Sequence, residues 1–286
     1  EQEDSTWRTL RKNGGSGETF IARIWYIITP IAAYILVSNI CQVLLTLLYQ
    51  KIVSDGTGPL SLFLLAHSGN INIGITMTGA AVGWIVVAAT AKREAVRDEL
   101  RESILPAKRR NRGYLIIAVT GCIALGFALN ILFGITGFLE NSTVTSNVQQ
   151  YQYQVSYALG LVAYGIVMPF IEESVFRSVV YLRLRSFSTV LTSALISAAL
   201  FGVYHMNILQ AVYGFIMGLI FAYSYAAFRR FAVPFAMHSL TNILIFTISY
   251  FGLFNAMCTY GWFAAFLAVV DISCVLVFGF TKSKSL

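Results

Sequence analysis

The chain has 286 residues, of which 57% are hydrophobic and only 12% are charged, and its formal net charge is +7. A soluble domain has about 25% charged residues, so this composition excludes an ordinary soluble protein. The positive charge lies in short segments between apolar runs, where it sets membrane topology and contacts anionic headgroups. We therefore expect a lipid bilayer around the chain and no nucleic-acid partner.

The apolar runs are each about 20 residues long and show no two-residue alternation, which predicts membrane-spanning helices. Residues 1–20 are polar and predict a cytosolic N-terminal segment, and residues 21–286 predict a single transmembrane domain. Segment 59–66 is too short to cross and is expected to lie in the interface or to re-enter. Eight spans are predicted, at 24–48, 71–91, 114–136, 155–182, 188–206, 209–228, 232–251 and 258–280.

The basic residues predict the orientation of these spans. Segment 92–112 holds eight Lys or Arg residues and four acids, and it predicts a helix with a solvated charged face. With eight spans, this segment and the other basic sites between spans fall on one side, whereas the opposite loops contain only Lys51. Because cytoplasmic loops carry an excess of Lys and Arg, we expect cytosolic N- and C-termini. We expect an integral protein of the bacterial plasma membrane.

Ionisable residues interrupt three of the predicted spans. A charged side chain within a span costs about 3 kcal/mol on insertion scales and indicates function by default. These residues, with an aromatic and an amide at regular spacing beside them, are Glu172, Glu173 and Arg177 in span 4, Phe201 and His205 in span 5, and His238 and Asn242 in span 7.

Helical spacing predicts how these side chains meet. Glu173 and Arg177 are four residues apart, so they share a helix face and form an ion pair. Glu172 points about 100° away from Glu173 and needs another partner. His238 and Asn242 are also four residues apart, so both aim at one point.

The depth of each residue in the membrane, counted along its helix from the nearest turn, does not agree for all three spans. Glu173 and Phe201 lie equally far along the chain from the turn near residue 187, so they are level. His238 is only ~10 Å above its own turn, against ~21 Å for Glu173, at 1.5 Å per residue. The difference closes if the helices tilt or if the hairpin of spans 4 and 5 projects into the cytosol. Pro169 predicts a break in span 4 that would leave both glutamates in the first turn of a half-helix.

The same residues suit the hydrolysis of a peptide bond. A carboxylate and a histidine can activate a water, and a second histidine and an amide can donate to the developing oxyanion. Glu172, His205 and His238 could alternatively be three zinc ligands. The sequence has no HExxH, the spacing that places two zinc-binding histidines on one helix face.

The patterns EExxxR at 172–177, FxxxH at 201–205 and HxxxN at 238–242 resemble the three motifs of the CAAX-protease and bacteriocin-processing family, also called Abi proteins. They occur in the family's order, on separate apolar segments, and the resemblance covers about residues 155–251. It implies an all-α membrane protein of about eight transmembrane helices, with a catalytic cavity among helices 4–7. It also implies an intramembrane peptidase related to the CAAX prenyl endopeptidase.

The resemblance also implies the role of each motif residue. Glu172 would be the base that activates water, helped by His205, and His238 and Asn242 would form the oxyanion hole. Glu173, Arg177 and Phe201 would support the site. The family is often described as metalloproteases, whereas its structurally characterised archaeal relative supports a metal-independent glutamate mechanism. We therefore expect no metal cofactor, with zinc as the alternative.

The substrate and two other functions stay open at this point. A CAAX-type peptide, a peptide pheromone, a bacteriocin-like peptide or a membrane protein could be the substrate, and the oligomeric state is not determined. A catalytically silent scaffold or immunity protein is one alternative. A transporter is another, because intramembrane Glu, Arg and His also form proton relays. We expect His67 to be structural, and Asp271 lies in span 8 without an evident partner.

Overall fold

The computed structural model describes residues 20–54, 56–104, 113–135 and 154–259, together with a few single residues between 263 and 274. The predicted N-terminal segment, Asp271 and most of the predicted eighth span lie outside these residues. Every regular element within the described ranges is helical. The helices are α1 (Phe20–Ser54), α2 (Pro59–Ala66), α3 (Ser68–Ile104), α4 (Tyr114–Ile135), α5 (Tyr157–Arg185), α6 (Val190–Tyr204), α7 (Ile208–Phe228), α8 (Ala232–Tyr250) and α9 (Leu253–Thr259).

Six of these helices, namely α1, α3, α4, α5, α7 and α8, are long and apolar enough to cross a membrane. Helix α6 is apolar but has only 15 residues. Helix α2 has eight residues, which is too few to cross. The prediction of an all-α membrane protein is therefore confirmed.

Helix α3 runs from the second span directly into the predicted charged helix. Its 37 residues extend about 55 Å at 1.5 Å per residue, whereas the hydrocarbon core is about 30 Å thick. One end of α3 therefore projects beyond the membrane, and that end carries Glu94 and Asp98.

The prediction that this charged face is solvated is wrong at two positions. Glu94 and Asp98 are only 2% and 8% exposed. Glu94 pairs with Arg183 at the end of α5 at 3.2 Å and accepts a hydrogen bond from Tyr26 of α1 at 3.0 Å. Asp98 pairs with Arg229 at the end of α7 at 3.5 Å. The basic ends of α1, α3, α5 and α7 therefore meet at one end of the bundle, which we call the basic end.

Helices α6 and α7 pack closely through small residues, as membrane helices often do. A Cβ at Gly202 of α6 would lie 2.5 Å from the carbonyl oxygen of Ala211. A Cβ at Gly218 of α7 would lie 2.9 Å from the Phe201 ring. Glycine at both positions therefore brings Phe201, and with it the FxxxH motif, directly against α7.

We predict that Glu94→Ala lowers the stability of the protein by about 3 kcal/mol, because it leaves Arg183 without its buried carboxylate partner. Glu99 lies on the same helix with an exposed side chain, so Glu99→Ala is the matched control and is expected to leave stability unchanged. Thermal unfolding of the detergent-purified variants measures both effects. Equal unfolding temperatures for the two variants would contradict the prediction.

Candidate active site

Pro169 lies in α5, three residues before Glu172. It does not break this helix. Residues Ala163–Val167 form a π-helical segment, in which the N–H of Met168 donates to the carbonyl of Ala163. An α-helical bond to Gly165 and a π-helical bond to Tyr164 would both require the N–H that proline lacks. Pro169 therefore cannot donate a hydrogen bond to either of these carbonyls.

Helix α8 supplies side-chain donors to the same two carbonyls. The Asn242 amide donates to the carbonyl of Tyr164 at 3.1 Å, and the Ser239 hydroxyl donates to the carbonyl of Gly165. Proline is tolerated in membrane helices when neighbouring side chains satisfy the freed carbonyls in this way. The predicted break at Pro169 is therefore wrong, because α5 continues past the proline. The backbone next to the proline is bonded to Ser239 and Asn242, in and beside the HxxxN motif.

The predicted pair of Glu173 and Arg177 is present and completely buried. Arg177 Nε lies 3.0 Å from Glu173 Oε2, and both side chains have no exposed surface. The two atoms are not aligned as a hydrogen bond, so the contact is an ion pair. Arg177 also donates to the carbonyl of Gly218 at 3.0 Å. Its guanidinium lies over the rings of Phe201 and Phe221, at 4.7 and 5.3 Å from their centroids, which stabilises the cation further.

His238 joins this ion pair to the second glutamate. Its Nδ1 donates to Glu173 Oε1 at 2.9 Å, its Nε2 lies 3.7 Å from Glu172 Oε2, and its ring stacks on Phe221 at 4.7 Å. A continuous chain therefore runs from Arg177 through Glu173 and His238 to Glu172. We call it the charge chain.

The simple depth count, which placed His238 ~11 Å short of Glu173, is thus wrong. The contact with Glu173 shows that the two residues are level in the membrane. Helix α5 continues to Arg185, and Arg183 pairs with Glu94 on the projecting end of α3. The hairpin of α5 and α6 therefore extends past the membrane. Its turn lies further from the membrane centre than the start of α8 does.

A cavity of about 530 Å³ lies above the charge chain. Five of the residues singled out in the sequence line it, namely Glu172, Phe201, His205, His238 and Asn242. Glu172 lies at its inner end with a side chain that is 14% exposed. Glu173 and Arg177 lie behind the cavity wall, since they have no exposed surface. The structure thus brings α5, α6, α7 and α8 together around one site.

His205 enters the cavity from the end of α6. It is the C-terminal capping residue of this helix, and its Nδ1 lies 2.9 Å from the carbonyl oxygen of Phe201. Because a carbonyl only accepts hydrogen bonds, Nδ1 carries the hydrogen. The Nε2 atom of a neutral His205 is then an acceptor that can take a proton.

Among the described residues, no three His, Cys, Asp or Glu side chains are grouped so that they could hold a metal ion. The alternative zinc set of Glu172, His205 and His238 is included in that finding.

The cavity also contains residues that the sequence did not single out. The hydroxyl groups of Tyr204 and Tyr34 lie 3.2 Å apart, which ties the cavity wall to α1. Asn130 of α4 could have been found from the sequence, because an amide inside an apolar span is unusual. The tyrosines could not, since the chain has 15 of them. The polar residues in question are Asn130, Tyr164, Tyr204, Asn207, Gln210 and Tyr213.

His67 lies apart from this cavity. It caps the end of α2, where its exposed ring bonds the carbonyl of Phe63. The position fits a structural role.

The fold and the site define a class of protein: a polytopic helical membrane protein with a buried Glu–His–Arg chain beneath a cavity. A family model described as "Type II CAAX prenyl endopeptidase Rce1-like" matches residues 154–244, which contain all three motifs. The protein "Putative membrane peptidase YdiL" of Bacillus subtilis (strain 168) is 26% identical over 222 residues, which are 77% of this chain and 86% of that protein. No solved structure matches the chain significantly.

These matches confirm the resemblance drawn from the motifs. Both matches support the CAAX-protease and bacteriocin-processing family for this chain. Membership in this family supports an intramembrane peptidase.

We predict that Glu173→Gln destabilises the protein by about 3–5 kcal/mol, because it leaves the Arg177 guanidinium buried without a counter-charge. The matched control is Glu172→Gln, which removes the neighbouring carboxylate that faces the cavity and is expected to cost much less. Thermal unfolding of the two purified variants compares them. The prediction fails if Glu172→Gln is as destabilising as Glu173→Gln.

Proposed function

We propose that the protein is an intramembrane endopeptidase in which Glu172 and His205 activate a water molecule for attack on a peptide bond. The observation that carries this proposal is the charge chain, which ends at Glu172 on the wall of a cavity that His205 also lines. A carboxylate that faces a cavity and is backed by buried charges is suited to general-base chemistry.

The charges of the chain suggest the state of His238. With both carboxylates ionised and Arg177 charged, a doubly protonated His238 would make the buried group neutral. Its Nδ1–H then donates to Glu173, and its Nε2–H is directed towards Glu172 and the cavity. A charge-balanced cluster avoids the cost of an unpaired charge in a low-dielectric interior.

The reaction then proceeds by two proton transfers. Glu172, with His205 beside the same water, takes a proton while the oxygen attacks the peptide carbonyl carbon. The resulting oxyanion accepts hydrogen bonds from His238 Nε2–H and from the second N–H of Asn242, whose first N–H is bound to Tyr164. Preorganised donors of this kind stabilise the tetrahedral intermediate. Glu172 then returns the proton to the leaving nitrogen, and the C–N bond breaks.

Glu172→Ala and His205→Ala are each expected to abolish cleavage while the protein still inserts and expresses, because each removes a group that activates water. Asn242→Ala is expected to lower the turnover number about 100-fold, the effect of losing one oxyanion donor. The measurement is cleavage of a quenched-fluorescent library of uncharged apolar peptides by the purified protein in liposomes. His67→Ala is the control and should retain activity, because His67 lies outside the cavity.

Full activity of Glu172→Ala or of His205→Ala would sink the mechanism. A cellular phenotype that survives in both variants, without cleavage, would support the scaffold or immunity alternative instead.

We also propose that catalysis proceeds without a bound metal. The proposal rests on the arrangement of the side chains, since the described residues offer no group of three ligands that could hold a metal ion. Dialysis of the active protein against a strong chelator is expected to leave the rate unchanged, and elemental analysis is expected to find substoichiometric zinc. Stoichiometric zinc whose removal stops turnover would overturn this part of the proposal.

The lining of the cavity indicates the kind of peptide that it accepts. Glu172 is its only acidic residue among the described side chains, and no Lys or Arg lines it. The remaining lining residues are aromatic, aliphatic or neutral polar. We propose an uncharged, mainly apolar segment of a peptide or membrane protein as the substrate. CAAX-type, pheromone and bacteriocin-like peptides all fit this description.

A further inference from the structure

The cavity occupies only one half of the bundle. On α7 its lining residues lie between Leu209 and Phe221, and on α8 they lie between His238 and Ser249. Both stretches extend about 16–18 Å at 1.5 Å per residue, from the level of Glu172 to the helix ends that lie away from the basic end. The cavity therefore runs from the charge chain towards that opposite end.

At that end, the cavity is lined by residues at the turns between helices, and we call these residues the rim. Asn207 and Gln210 lie at the turn between α6 and α7, and Ser249 and Phe254 lie where α8 passes into α9. In the other direction, the closely packed side chains of Phe201, Phe221 and Arg177 separate the cavity from the basic end.

The charges outside the spans are distributed very unequally between the two ends. Among the described residues, Lys51 is the only Lys or Arg at the end where the cavity has its rim. The opposite end carries Lys92, Arg93, Arg97, Arg183, Arg185, Arg229 and Arg230. Since Lys and Arg concentrate in cytoplasmic loops, this distribution predicts that the basic end faces the cytosol.

We propose that the cavity opens towards the extracytosolic face and takes its substrate from that side. The substrate class is then an uncharged, apolar segment of an exported peptide, or the extracytosolic end of a membrane protein. A cytosolic lipid-modified tail would meet the basic end, from which packed side chains separate Glu172. The choice of substrate rests on the proposed function, whereas the direction of opening does not.

The direction of opening is tested by thiol labelling in intact bacterial cells, in a background where Cys41, Cys122, Cys258 and Cys274 are replaced by alanine. Met206→Cys probes the turn between α6 and α7, where Met206 is 88% exposed, and Gln210→Cys probes the cavity rim. Arg230→Cys is the control at the basic end, where Arg230 is also exposed. The reagent is a small thiosulfonate that does not cross the membrane.

Met206→Cys and Gln210→Cys are expected to react in intact cells as fully as in lysed cells, and Arg230→Cys is expected to react severalfold more after lysis. Reaction of Arg230→Cys in intact cells would overturn the proposal, as would protection of either rim cysteine until lysis. Labelling does not depend on turnover, so this result stands whether or not the proposed peptidase activity is found.

The substrate class is tested with a peptide that the purified protein cleaves. Added to intact cells, this peptide should be cleaved by the wild type and not by Glu172→Ala. Cleavage that occurs only after lysis would refute delivery from the extracytosolic face, while the peptidase function itself would remain supported.

Discussion

The ion pair between Glu173 and Arg177 is the interaction on which the site depends. Each charge alone would be costly within a membrane, and the pair is stabilised there because the Arg177 guanidinium also lies over two aromatic rings and donates to the Gly218 carbonyl. The second oxygen of Glu173 then binds His238. One buried pair therefore sets the position of the histidine, and the histidine faces Glu172.

A second constraint is the satisfaction of backbone carbonyls in lipid. Pro169 has no N–H to donate to the carbonyls of Tyr164 and Gly165, and Asn242 and Ser239 of α8 donate to them. These bonds attach α8 to α5 close to the glutamates. One amide hydrogen of Asn242 is bonded to the carbonyl of Tyr164. The other can donate to a group in the cavity that Asn242 lines.

The two ends of the bundle are built differently. At the basic end, Glu94 and Asp98 bind arginines from α5 and α7, and the helices there are held together by charge. At the other end, neutral polar and aromatic side chains surround a cavity. An end held by ion pairs and a cavity in the other half suit the proposed site, which would have to admit a peptide and keep its side chains in position.

The sequence by itself determined the helical class, the first seven apolar segments and the pairing of Glu173 with Arg177. These features are local: they depend on the length of apolar runs and on the helical repeat, which a sequence displays directly. The motifs likewise identified Glu172, His205, His238 and Asn242, all of which line one cavity.

Only the tertiary structure decided the depth of His238, the continuity of α5 at Pro169 and the burial of Glu94 and Asp98. Each depends on a partner far away in the chain: Glu173 for the histidine, Ser239 and Asn242 for the carbonyls, and arginines of α5 and α7 for the two acids. Such partners are chosen by how far helices project and which faces they pack together, and the spacing of residues within one helix does not contain that information.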